Sequence, residues 1–154
     1  MTATVVKVLL APRERQVVEG LAEGHPLAMV AGRLGIQKGT AYGYLKVAKR
    51  KLHGVREAAA AVAVGYATTA IPQPQLLDPE TLQLPPEQSD LVPLVARELT
   101  IPEMAVELKR PLTVIRRDSR NLLVSLQARN RPHAMKRAWQ FQILTAEQVT
   151  AWLR

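Results

Sequence analysis

The chain has no cysteine, which excludes disulfides, thiolate metal sites and a thiol nucleophile. Aromatic residues make up only 4%, too few for the base-stacking platform of a single-strand binder. No apolar run reaches the roughly 18 residues that a membrane helix needs, so no membrane partner is expected. The opening stretch, MTATVVKVLLAPRER, has no charged segment ahead of its short apolar run and no convincing cleavage site. No signal peptide is read there, and a cytoplasmic protein is the expectation. The histidines, His25, His53 and His133, are scattered, and no spacing suits a metal. Glu14, Glu19 and Glu23 fall along one helix and read as a solvated edge. No Gly-rich phosphate cradle occurs, and nothing assembles a nucleophile, a base and an orienting group. Neither an enzyme nor a cofactor is expected.

What is present is positive charge. Among 154 residues, Lys and Arg number 21 and Asp and Glu 13, for a net +8. Such a balance predicts attraction to polyanions, most often nucleic acid. Arginine outnumbers lysine 14 to 7, and Ala and Val are abundant, a composition typical of GC-rich bacterial genomes. The charge is divided: residues 1–66 carry +6, residues 67–84 carry −2 and residues 85–154 carry +4. The middle, IPQPQLLDPETLQ over residues 71–83, has three prolines and no apolar period, the mark of a linker.

Helical periodicity dominates both sides of that segment. The best strand candidate, Thr4 to Leu10, reads equally as the lead-in to a helix. Pro12 opens a first helix whose inward residues are Val17, Val18 and Leu21. Gly24 closes it, and His25-Pro26 breaks the chain. A second helix runs over Leu27–Leu34 and stops at Gly35. A third runs over about Lys38–Leu52 with an inward stripe of Ala41, Leu45, Ala48 and Leu52, at the helical period. An Ala-rich fourth covers about Arg56–Thr68. Sliding the chain by 74 residues sets Leu10 on Leu84, Pro12 on Pro86, Val18 on Val92, Ala22 on Ala96, Ala31 on Ala105, Leu34 on Leu108 and Leu52 on Leu126. The inward set Val17, Leu21, Leu27, Val30, Ala41 and Ala48 falls on Leu91, Val95, Ile101, Met104, Ile115 and Leu122, all apolar. The expected fold is all-α: two tandem four-helix units, residues 1–70 and 84–154, joined by a Pro-containing linker. The second unit adds a helix from Thr145 to Leu153, where Thr145-Ala146-Glu147-Gln148 reads as a capping box. Its fourth helix starts near Pro132, capped by Asn130 or Arg131. Trp139, Phe141 and Trp152 are expected in a core or interface.

Leu10-Ala11-Pro12-Arg13-Glu14-Arg15-Gln16-Val17-Val18 with Leu21-Ala22-Glu23-Gly24 resembles the opening of the LuxR/NarL-type helix-turn-helix domain. Val30-Ala31-Gly32-Arg33-Leu34-Gly35-Ile36 resembles that family's supporting helix and turn. Thr40-Ala41-Tyr42-Gly43-Tyr44-Leu45, with Arg50-Lys51-Leu52, resembles its recognition helix. The likeness covers residues 8–66. Residues 82–142 carry a degenerate second copy that keeps Leu-x-Pro, Met104-Ala105-x-x-Leu108 and the apolar stripe but has lost the turn glycines. The resemblance implies a third helix in the DNA major groove and a fourth that forms the dimer contact. Family members usually carry a regulatory domain upstream. Here residue 10 already lies in the DNA-binding unit, so no sensor is expected.

By that resemblance, Tyr42, Gly43 and Lys46 read bases, Lys49 and Arg50 lie near phosphate, and Thr40 bonds backbone or phosphate. Subtracting the inward stripe also leaves Lys38 outward. Gln37 stands where the family has a Ser cap, which weakens this helix start by about 1 kcal/mol. Gly39 and Gly43 each cost roughly 1 kcal/mol inside a helix. Gly43 either lets the backbone approach the groove floor or has drifted at an exposed position. The second copy offers Arg110, Thr113, Arg116, Arg117 and Arg120. Arg116 and Arg120 share a face and Arg117 flanks it, and arginine pairs with guanine in bidentate fashion. Asp118 either orients an arginine or makes a weak surface ion pair. Lys136 and Arg137 touch phosphate or merely solubilise their helix. Fully extended, residues 71–83 span about 43–47 Å, against about 34–36 Å between half-sites one turn apart. Two domains engaging one face of DNA and a compact packed pair are both open. The expected partner is double-stranded DNA, bound at an asymmetric site. The chain acts as a monomeric pseudo-dimer or as a homodimer. The alternative is an adaptor that binds a transcription factor or RNA polymerase through its helices.

Overall fold

The computed structural model describes residues 7–153, and these are helical without strands. Of the strand candidate, Thr4 to Val6 lie outside the described residues. Lys7 to Leu10 are irregular, with the Val8 N–H donating to Thr68 O at 3.2 Å. Helices α1 (Pro12–Ala22), α2 (Leu27–Leu34), α3 (Lys38–Lys51) and α4 (Ala58–Ala67) form the first half. The second half contains α5 (Pro86–Ser89), α6 (Leu91–Ala96), α7 (Ile101–Leu108), α8 (Leu112–Ser125), α9 (Arg131–Gln140) and α10 (Ala146–Trp152). The predicted inward stripes are buried in both: Ala41, Leu45, Ala48 and Leu52 on α3, and Ile115, Leu122 and Leu126 along α8.

The repeat extends to the backbone. A shift of 74 residues carries α2 onto α7 and α3 onto α8, end for end; a shift of 73 carries α4 onto α9. The same shifts match the left-handed turn positions: Gly24 (φ 86°) with Glu98 (67°), Gly35 (69°) with Lys109 (53°), His53 (63°) with Gln127 (53°), and Thr69 (58°) with Gln142 (61°). The terminating hydrogen bonds match too. Ile36 N–H donates to Ala31 O and Arg110 N–H to Ala105 O, both at 3.0 Å. The turns thus persist in the second half without the glycines that stand at Gly24 and Gly35 in the first, at the cost of a strained backbone at Glu98 and Lys109. Glu98 gains partners in exchange, since its two carboxylate oxygens accept from the Arg56 N–H at 3.0 and 3.1 Å.

The halves share one apolar core. Helix α4 is buried from Ala59 to Ala67 and packs along α9, with Tyr66 stacked on Trp139 at 5.5 Å between ring centroids. Small side chains on α4 permit that close approach. Burial first, then the Glu23 and Glu19 carboxylates, push the Tyr66 phenol well above its ordinary pKa. A second seam joins α1 to the start of α9. Asn130 caps α9 by accepting from His133 N–H at 3.1 Å, and its amide donates to Gly24 O at 3.1 Å. Lys136 pairs with Glu23 across the same seam. Lys136 is therefore more than a solubilising charge, since it ties α9 to α1.

Residues 71–83, read as a linker, are docked along α9. Leu77 N–H donates to Gln140 O at 2.8 Å, Gln140 Nε2 to Gln75 O at 3.0 Å and Trp139 Nε1 to Gln73 Oε1 at 3.0 Å. Ile71 is fully buried, and Pro79–Thr81 forms a 3-10 turn. Prolines and lack of period mark extended chain correctly. They do not reveal that its backbone and amide groups find partners on another helix.

Candidate nucleic-acid interface

Burying Ala41, Leu45, Ala48 and Leu52 turns the opposite face of α3 to solvent. Lys38, Gly39, Thr40, Tyr42, Gly43, Lys46 and Arg50 are exposed there, and Lys49 is half-buried at the edge. Tyr42, 59% exposed, has no core role. On α8 the exposed row is Thr113, Arg116, Arg117, Arg120, Asn121 and Val124. The repeat matches the rows place for place: Gly39 with Thr113, Tyr42 with Arg116, Gly43 with Arg117, Lys46 with Arg120 and Arg50 with Val124. Thr113 is thus the counterpart of Gly39; the place of Thr40 is taken by Val114. Nothing lies within 4 Å of a Cβ built at Gly39 or Gly43, so both leave open surface.

Each row rests on a helix clasped from behind. In the first half, Lys51 at the end of α3 donates to Glu14 Oε1 at 2.8 Å, and the Ala11 N–H donates to the same oxygen at 3.0 Å. Glu14 is therefore buried, contrary to the solvated edge expected of it. Burial opposes its ionisation, but the hydrogen bonds from Lys51 and Ala11 and the Lys51 charge outweigh it and hold its pKa below the ordinary value. In the second half the same positions are Gln88 and Ser125, joined by a neutral hydrogen bond of 2.6 Å. Glu19 follows the expectation, in an exposed pair with Arg15 at 3.3 Å.

Other cations are committed elsewhere. Arg110 is turned away from the α8 row; it pairs with Asp90 at 2.6 Å and donates to Glu87 O at 3.3 Å. It holds the turn before α8 against the α5–α6 bend. Arg137 donates to Leu126 O at 2.9 Å and lies over Phe141. Arg117 donates twice to Asp118 Oδ1, at 3.3 Å each, so an exposed guanidinium is held by a buried carboxylate. Among the described residues, no carboxylate lies within 4.0 Å of Lys38, Lys46, Lys49, Arg50, Arg116 or Arg120. Unpaired cations and an exposed tyrosine on an α-helix are what phosphate and base edges require of a protein surface.

The histidines lie at turns. His25 sits between the Arg33 and Arg129 guanidiniums, at 3.1 and 3.4 Å. His133 Nδ1 accepts from Arg129 N–H at 3.0 Å. Burial first, then the charges of Arg137, Arg129 and Lys136, push the His133 pKa below its ordinary value against the opposing Glu23. Among the described residues, no group of three or more His, Asp or Glu is placed to hold a metal, and no helix is long and apolar enough to cross a membrane. Trp139 and Phe141 are buried, and Trp152 is half-buried beneath Arg97. The Ala-rich helix α4 is spent on internal packing, buried from Ala59 to Ala67. No family model, no curated protein and no solved structure matches this chain.

Proposed function

We propose that this chain is a sequence-specific double-stranded DNA-binding regulator of transcription that lays α3 and α8 in the major groove of one asymmetric site. The observation that carries this reading is the pair of matched exposed rows, each with unpaired cations, on α3 and on α8, which the 74-residue shift brings into register. The resemblance of residues 8–66 to LuxR/NarL-type helix-turn-helix domains points the same way. In such a domain the third helix reads bases and the fourth pairs with a second copy. Here α4 and α9 pair within one chain, so a single polypeptide takes the part of a dimer. Covalent linkage replaces association with a high effective concentration of the second reading helix. The net charge of +8 supplies the nonspecific attraction.

The rows differ chemically, so the two half-sites differ as well. Lys46 with Tyr42 on α3 offers one donor and one amphipathic ring; Arg116 and Arg120 on α8 favour guanine through its O6 and N7. The reading places the protein with the DNA, in the cytoplasm, with no catalytic role. Selection from a random duplex library tests it directly. The expected product is one motif without two-fold symmetry, bound by a monomer. Recovery of no motif, or equal affinity for every duplex, contradicts it.

A further inference from the structure

Arg117 and Asp118 are neighbours on α8 with opposite exposures. The Arg117 side chain is 59% exposed and the Asp118 side chain 3%. Arg117 Nε and Nη2 both donate to Asp118 Oδ1, at 3.3 Å each. Those two groups form one side of the guanidinium. Its planar fork carries five N–H bonds, so the terminal edge between Nη1 and Nη2 keeps its donors. Among the described residues, no other acceptor bonds Arg117. Asp118 thus fixes the plane of the group through its side and leaves its end without a partner. Arg117 lies mid-row, one turn after Thr113 and one turn before Asn121, all exposed.

Packing does not call for a carboxylate at this place. Asp118 Oδ2 is buried and has no hydrogen-bond partner, an arrangement that costs stability. The first half does without it: Tyr44 stands at the same position, half-buried against the core. The place of Arg117 is taken there by Gly43, which has no side chain to offer. A buried charge is thus kept in the second half alone, and its hydrogen bonds among the described residues come from the one exposed guanidinium beside it.

We propose that Arg117 reads a guanine in the α8 half of the site and that Asp118 is its positioning residue. The terminal edge of a guanidinium matches guanine O6 and N7, two acceptors that no other base presents together in the major groove. An unrestrained arginine surrenders side-chain freedom when it binds. Asp118 holds the plane beforehand, so less is lost on contact. A lysine cannot replace Arg117, having neither the plane nor the fork. Gly43 makes no such contact from α3, so this contact belongs to the α8 half alone. The assignment rests on the DNA-binding reading and adds to it one base, one reader and one support.

The test is fluorescence anisotropy of the full chain on its selected duplex and on duplexes changed one base pair at a time. The parent should prefer one guanine in the α8 half by roughly tenfold to a hundredfold. Arg117→Ala and Arg117→Lys should both abolish that preference; the lysine variant keeps the charge and should keep the salt dependence. Asp118→Ala should reduce the same preference by roughly threefold to tenfold. It should leave the other positions unchanged and bind duplexes lacking the guanine no more weakly than the parent. Its Tm should not fall, since the partner left behind is exposed and the unpaired oxygen is gone. Within Arg117→Ala, the further change Asp118→Ala should alter no base preference. A guanine preference that survives Arg117→Lys overturns the reader. An Asp118→Ala chain that melts lower and loses affinity evenly at every position overturns the support, and so does an unchanged preference at that guanine. A parent with a motif that no Arg117 variant alters removes this assignment alone. A parent without base preference removes the DNA-binding reading and this assignment with it.

Discussion

Lys109 ends α7 with φ 53°, at the place where Gly35 ends α2 with φ 69°. A Cβ in the left-handed region costs about 1–2 kcal/mol. The Lys109 side chain is exposed, so its removal gives up little packing. Glycine in its place widens the unfolded ensemble and returns roughly 0.5–1 kcal/mol of that gain. Lys109→Gly should therefore stabilise the chain by about 0.5–1 kcal/mol, a rise in Tm of roughly 1–4 °C at this chain length. Gly35→Ala is the mirror experiment. Nothing lies within 4 Å of a Cβ built at Gly35, so its cost of about 1 kcal/mol comes from backbone strain alone. Thermal melts and urea titrations followed by circular dichroism measure both. A Lys109→Gly chain less stable than the parent, or a neutral Gly35→Ala, refutes the equivalence of the two turns.

Gly24→Ala should do more damage than Gly35→Ala. At φ 86° the new Cβ also meets the Cβ atoms of Arg129 and His133 at 3.1 Å, so a loss of about 1–3 kcal/mol is expected from the urea midpoint; equal stabilities contradict the seam. The lowered pKa of His133 means that the unfolded chain takes its proton first. The stability His133 contributes is present above its ordinary pKa of 6.5 and is lost as pH falls through its lower folded value. Melts of parent and His133→Gln over this range should show the smaller acid loss in the variant; parallel curves refute the assignment. Glu14, also lowered, acts further down, holding its stability above its ordinary 4.5 and losing it below. Glu14→Gln should flatten the acid limb there and leave the His133 limb unchanged.

The apolar stripes of α3 and α8 were legible because burial on one face imposes the helical period on the sequence itself. The exposed rows followed by subtraction, and Tyr42, Lys46, Arg116 and Arg120 are exposed as expected. The turns at Glu98 and Lys109 were not legible as turns, because no glycine marks them; the helix repeat alone pointed there. Arg110 was misplaced because its partner, Asp90, lies twenty positions earlier, beyond any local pattern. The burial of Glu14 had the same cause, since Lys51 reaches it from the far end of another helix. The docked strap had no period to read, for extended chain that bonds through its backbone leaves no side-chain signature.

The salt dependence of duplex binding tests the proposed mode of binding most directly. Each phosphate that the protein ceases to neutralise should lower the magnitude of the slope of log K against log salt by about 0.9. Anisotropy titrations of the parent on its selected duplex should give a steep negative slope. Lys49→Ala and Arg50→Ala, expected near phosphate, should each make that slope shallower, while Lys46→Ala and Arg116→Ala should relax base preference in opposite halves of the site. A slope near zero, or base preferences unmoved by the α3 and α8 substitutions, would mean that these rows do not face DNA.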